Sequence, residues 1–306
     1  MLVPMKVWLN GALVERDRAR VSLLSHAFGR ASSVFEVVEV AEAAQGPCVF
    51  AGDAHLARLL RSAELMGMTP GYSLQELREA MCLTLRENGV RDGYAKVFCY
   101  YSCPELGIFP SRDEVDVAVL TIDMGGLRRA NADGRGKPIA VGISRWRKLD
   151  QRTVPIQAKV AGHYVNGYLA SLEARQRGFD DVLLLDTDGN VAESATSSVF
   201  FVRGGRLRTP PLPRVLDGIT RAACIELAPE VGMEVAQEPI AEAELASMDE
   251  AFLASSVGRI SPIARIDDMH FGDGQPGPFT RRLSERLDML YAGRHPASRR
   301  WLTPIA

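Results

Sequence analysis

Apolar and polar residues alternate over 33–40 (SVFEVVEV), the pattern of a strand with one face buried. The segments 95–101 (AKVFCYY) and 115–122 (VDVAVLTI) read the same way. At 55–67 (HLARLLRSAELMG) the period changes, and Leu56, Leu59, Leu60, Ala63 and Met66 fall on one helical face. A second helix follows in SLQELREAMCLTLREN, where Ser73 and Glu76 have the spacing of a capping box. Asn10-Gly11 predicts a hairpin turn between 6–10 and 13–14. In the second half, strands are predicted at 138–144 (PIAVGIS), in DVLLLD, in VFFVR and at 250–255 (EAFLAS). Helices are predicted at 163–177 and 218–232, and Asp188-Gly189 marks a turn.

Hairpins and helices mix without strict βαβ alternation, so the fold class is α+β. Residues 124–137 (MGGLRRANADGRGK) are rich in glycine and arginine and poor in apolar residues, which reads as an interdomain linker. The expected division is a smaller N-terminal domain at 1–122, a linker at 123–137 and a larger C-terminal domain at 138–306. The 306 residues are 46% hydrophobic and 24% charged, with a net charge of −2. That balance points to a soluble protein and gives no reason to expect a nucleic-acid or membrane partner. The start lacks a signal-peptide pattern. Cys48, Cys82, Cys99, Cys103 and Cys224 are odd in number and fit no zinc motif. Reduced thiols and a cytoplasmic location are expected, with a Cys99–Cys103 redox pair as the less favoured reading.

Lys159 changes the picture. It sits alone in IQAKVAGHYVNGYLA (156–170), among small and apolar residues where an ammonium is costly. Such a lysine usually snorkels to solvent. A second unusual stretch is NVAESATSSVFFV, where Glu193 precedes three hydroxyls, Thr196, Ser197 and Ser198. A third is DGIT (217–220), which opens a helix whose free N–H groups suit an anion. A desolvated lysine, a carboxylate and an anion site together suggest pyridoxal phosphate, whose aldehyde, ring nitrogen and phosphate want those three partners. His26 and His55 read as structural, and no metal site is expected.

The chain resembles the class IV aminotransferases, the fold-type IV pyridoxal-phosphate enzymes, along nearly its whole length. VWLNGALV, SHAFGRASSVFEVV, HLARLLRSAELM, KVAGHY, GNVAESATSSVF, VLDGITR, MDEAFLASS and ISPIARID follow the family's order and spacing. WLTP near the end is similar to branched-chain members. The resemblance implies a two-domain, D-amino-acid aminotransferase-like fold with the cofactor at the domain interface, and a homodimer. It implies that Lys159 bonds the cofactor and moves a proton. Glu193 would pair with the ring nitrogen, Tyr164 with the phenolic oxygen, and Leu216 would pack on the ring. Arg58, the N–H groups of Ile219 and Thr220, and Ser256 would hold the phosphate, although a solvated Arg58 would look the same in sequence. Phe35, Arg30, Tyr94, Lys96 and Val257 would face the substrate.

Several positions depart from the branched-chain pattern. Arg30 and Ala31 stand where those enzymes have Tyr-Gly, so Arg30 is either a carboxylate ligand or a solvent-facing residue. Lys96 replaces an arginine and Val37 a glycine. Asp123 and Gly126 replace two aromatics, and Arg259 follows SSVG in place of a glutamate. The expected activity is amino transfer from a branched-chain-like L-amino acid to a 2-oxo acid such as 2-oxoglutarate. D-amino-acid or (R)-amine transfer and an aminodeoxychorismate-type lyase are the alternatives, with a non-catalytic binding module behind them.

Overall fold

The computed structural model describes residues 6–125 and 136–305. The chain divides into two compact units of equal length. Unit 1 comprises Met1–Ala130, Ala158–Gly162 and Met289–Ala306, and unit 2 comprises Asn131–Gln157 and His163–Asp288. This corrects the expected division in two ways. The C-terminal part is not larger, and Lys159 belongs with the N-terminal residues. The physical reason lies in pairing across the sequence: Phe35 N–H donates to the Lys159 carbonyl at 3.1 Å, and Val34 pairs with Val160. Most of the expected linker, including Gly126, lies outside the described residues.

In unit 1, β1 (Lys6–Leu9) and β2 (Ala12–Glu15) form the expected hairpin, with Asn10 and Gly11 both at positive φ. The short helix α1 (His26–Arg30) leads into β3 (Val34–Ala43) and β4 (Gly46–Phe50). Two helices follow, α2 (Gly52–Leu65) and α3 (Leu74–Glu87), then β5 (Gly93–Tyr101) and β6 (Val115–Asp123). Ser73 and Glu76 close the capping box that starts α3. The sheet is antiparallel throughout, in the order terminal strand (Leu302–Pro304), β4, β3, β5, β6, β1, β2. One face carries Val34, Val38, Ala95, Val97, Val117 and Val119 against Leu56, Leu59, Leu77, Met81 and Leu85 of the helices. Trp301 and Tyr291 both stack on Phe50, so the tryptophan of WLTP is packing material for this unit.

Unit 2 starts with β7 (Ile139–Arg147), then α4 (Tyr164–Gln176) and β8 (Asp181–Leu185), a right-sized crossover that leaves β7 and β8 parallel. It continues through β9 (Val191–Ser194), β10 (Ser198–Arg203), β11 (Arg206–Thr209), α5 (Ile219–Leu227), β12 (Glu234–Gln237), β13 (Glu250–Ser255), β14 (Arg259–Ile266) and α6 (Pro278–Tyr291). The strands run β12-β11-β10-β13-β14-β7-β8-β9, and β9 pairs back onto β10. Six strands therefore close into a ring, which removes their edges. The closing pair is Glu193 with Ser198. Helix α5 is shorter than the expected 218–232 because its tail tightens into a 3-10 turn over Ala228–Val231.

Candidate active site

Lys159 is anchored by its backbone. Its N–H donates to Ser62 Oγ on α2 at 3.0 Å, and its carbonyl accepts from Phe35. Ala158 and Val160 on either side are in the core of unit 1. The apolar neighbours noted in the sequence are thus core residues, while Lys159 between them is only half-buried. Its Nζ lies 5.0 Å from the centroid of the Phe35 ring.

Phe35 opposes Phe98 across β3 and β5, and Val37 opposes Lys96. Residues two apart on a strand share a face, so Phe35, Lys96 and Phe98 form one half-buried surface on the sheet side away from α2. Lys96 Nζ stands 4.8 Å from the Phe35 centroid and 4.7 Å from that of Phe98. Tyr94 lies on the same strand face, buried opposite Glu39.

Arg58 is only 4% exposed, which excludes the solvated reading. Its Nε and Nη2 donate to the two oxygens of Glu36 at 2.6 and 2.8 Å. His55 Nδ1 donates to the same carboxylate at 2.7 Å. Burial pushes the Glu36 carboxyl up, but the Arg58 charge and the bonds from Arg58 and His55 outweigh it and hold it at about 2. Burial is also the main influence on His55, driving it toward the neutral ring. With Nδ1–H committed to Glu36, its Nε2 is buried without a hydrogen-bond partner among the described residues. Both expected structural histidines have structural partners, for His26 pairs with Ser32 and with the Ile108 carbonyl.

Arg30 is exposed, and its guanidinium donates to the carbonyls of Gly29 and Leu106. The second of these bonds ties α1 to the connection between β5 and β6. Ala31 beside it has φ of 51°, a left-handed conformation that costs a side-chain-bearing residue roughly 1–2 kcal/mol.

In unit 2, Glu193 meets a residue that sequence reasoning passed over. Lys148 Nζ lies 2.7 Å from Glu193 Oε1, both largely buried. Desolvation lowers the Lys148 pKa, but attraction to Glu193, with a smaller share from Tyr164, leaves it raised. Lys148 sits in RWRKLD, where Arg145 and Arg147 are exposed, so no local pattern separates it from its neighbours. Tyr164 begins α4. A Cβ on Gly167, one turn along, would stand 2.9 Å from the Ala195 carbonyl, so glycine lets α4 approach the turn after Glu193. That turn is held by Ser194, whose Oγ accepts from the N–H groups of Thr196 and Ser197.

The start of α5 has no side-chain cap. Gln157 fixes the approach to it, donating to the carbonyls of Leu212 and Val215 and accepting from Asp217 N–H. Leu216 is half-buried in this loop. Thr220 Oγ1 is buried with no hydrogen-bond partner among the described residues. A Cβ on Gly218 would stand 2.8 Å from Ser198 Oγ, so the helix start adjoins the strand that pairs with Glu193. Ser198 also opposes Ala254 on β13, two residues before Ser256. Glu193, Ser198, Ile219, Thr220 and Ser256 are thereby linked within unit 2. Val257 is exposed in the β13–β14 turn, and Arg259 pins that turn by pairing with Asp288 at 2.7 Å.

The sequence model of the family described as Amino-transferase class IV matches residues 33–266. The branched-chain-amino-acid aminotransferase of Escherichia coli (strain K12) is 31% identical over 301 residues, covering 98% of this chain and 97% of that one. A probable branched-chain-amino-acid aminotransferase of Aquifex aeolicus is 32% identical, covering 97% and 96%. Among solved structures, the branched-chain amino acid aminotransferase of Thermobaculum terrenum in its PLP-form superposes with a TM-score of 0.92 at 30% identity, covering all of both chains. The branched-chain aminotransferase of Thermoproteus uzoniensis with norvaline gives 0.92 at 32%, covering 99% of this chain and 100% of that one. A half-buried lysine between core residues, a carboxylate at the seam of a closed sheet and an uncapped helix start thus occur in a chain that belongs to the class IV aminotransferases and has their fold-type IV architecture.

Proposed function

We propose that this protein is a pyridoxal-phosphate-dependent aminotransferase that moves the amino group of a branched-chain L-amino acid to a 2-oxo acid such as 2-oxoglutarate. The observation that carries the reading is similarity along nearly the entire chain to enzymes named for that activity. The residues fit the cofactor. An orphaned Thr220 hydroxyl beside free N–H groups at an uncapped helix start suits a phosphate. Glu193 suits a ring nitrogen, and Lys159 suits an aldehyde.

Bound pyridoxal phosphate supplies a carbonyl carbon for amines and a ring that draws electrons from the amino acid's Cα. The chain supplies the rest. Lys159 Nζ would take the proton from the substrate Cα and, in the return half-reaction, give it back to that carbon. Glu193 holds a proton on the ring nitrogen, and Lys148 keeps that carboxylate in place. Tyr164 donates to the phenolic oxygen, and Leu216 packs on the ring. Ile219, Thr220 and Ser256 would hold the phosphate. Arg58, also proposed for it, has its plane fixed by two bonds to Glu36. Phe35, Tyr94, Lys96 and Val257 bound the substrate.

The loaded protein tests this reading when single L- and D-amino acids and (R)- and (S)-amines are added and the cofactor's visible band is followed. Loss of the band with L-leucine or L-valine is expected. Loss with D-amino acids or (R)-amines alone would contradict it and favour the second reading, which Val37 and the two missing aromatics motivate. Pyruvate release without an amino acceptor would indicate lyase chemistry.

A homodimer belongs to the same proposal. Leu23, Leu24, Phe28, Leu106, Ile108 and Phe109 are large apolar side chains left exposed in unit 1, Leu106 and Ile108 at 83%. Val165, Tyr168, Leu169 and Leu172 do the same on α4. Apolar surface on this scale calls for a partner, and a second copy is the one proposed. Sedimentation giving the mass of a single chain would contradict it.

A further inference from the structure

Lys96 and Lys159 approach the same aromatic ring. Each Nζ lies close to 5 Å from the Phe35 centroid, so the two nitrogens are within about 10 Å of each other, and a half-buried pair at that range is screened little by salt. Lys96 also lies over a second ring, Phe98. Aromatic faces favour a cation, which offsets part of the cost of burying the Lys96 ammonium. We propose that Lys96 is a positioning residue that acts through Lys159: its ammonium disfavours a proton on the neighbouring amine and so enlarges the fraction of that amine ready to attack a carbonyl. The proposal rests on the role given to Lys159 above and deepens it.

The other charged groups of unit 1 near this pair leave the repulsion standing. Glu36 is matched by Arg58, and His55 is driven neutral by burial. Glu39 shares the Phe35 face but lies four residues along β3, roughly 13 Å away. Tyr94 on β5 stands opposite Glu39. Burial and then the Lys159 charge both lower the Lys96 pKa, so the coupling is felt from that side as well. At about 10 Å and an effective dielectric near 20, two like charges move an amine's pKa by about one pH unit. A substitution of lysine for arginine at this position keeps the charge.

The test is competitive acetylation of the cofactor-free full-length chain across pH, read by peptide mass spectrometry at Lys159 with exposed Lys137 as internal standard. Lys96→Met and Lys96→Gln are each expected to raise the Lys159 midpoint by about one pH unit, which cuts labelling at neutral pH about tenfold. Lys96→Arg is expected to keep the wild-type midpoint. An unchanged midpoint in both neutral variants would overturn the proposal, and so would an arginine variant that behaves like them. The measurement needs no cofactor. Its failure leaves the cofactor role of Lys159 standing, whereas failure of the protein to bind pyridoxal phosphate at Lys159 removes that role without touching the acetylation profile.

Discussion

Lys159→Ala is expected to reduce turnover at least about a thousandfold, because the variant loses both the amine that bonds the cofactor and the base at the substrate Cα. The fold is expected to survive. What Lys159 gives the structure is its backbone: the N–H to Ser62 Oγ and the carbonyl to Phe35. Alanine keeps both. Removing the ammonium also relieves repulsion with Lys96 across the Phe35 ring, so stability should change little or rise slightly. Steady-state kinetics beside a thermal melt checks the pair of expectations. Near-normal turnover would remove Lys159 from the mechanism, and a collapsed melt would assign it to the core instead.

The second large effect is expected at Glu193. Glu193→Gln keeps the shape and removes the charge, and turnover should fall about a hundredfold or more, the scale of losing one well-placed electrostatic partner. Cofactor retention should fall far less, because the phosphate contacts on α5 and the lysine bond are untouched. The change also leaves Lys148 partly buried without its carboxylate. Some loss of stability is therefore expected as well. Titrating cofactor into the variant and measuring turnover at saturation separates the two effects. Turnover equal to wild type at saturation would show that Glu193 is structural.

Much of the fold was legible because it is local. Alternation at 95–101 found β5, and the leucine stripe found α2, whose Leu56, Leu59 and Ala63 are fully buried. The capping residues of α3 and the Asn10-Gly11 turn followed from chemistry within four residues. The errors share a cause, which is pairing between distant segments. Nothing around Lys159 records that its carbonyl meets Phe35, and nothing around Leu302 records that it pairs with Phe50. The division of the chain depends on both. The same limit applies at the site. A solvated Arg58 would look the same in sequence, because the buried carboxylate that meets it, Glu36, lies twenty-two residues away. Lys148 was passed over among exposed arginines, since only the closing pairing of β9 with β10 sets its partner Glu193 in place. The motif order identified the cofactor chemistry, and tertiary pairing set Glu36 against Arg58 and Lys148 against Glu193.

The measurement closest to the central claim is reductive trapping. The cofactor-loaded protein is treated with borohydride, digested and mapped by mass spectrometry. The expected result is the mass of the cofactor on the peptide that carries Lys159 and on no other. Cofactor on Lys96 or Lys148, or on no lysine at all, would contradict the account.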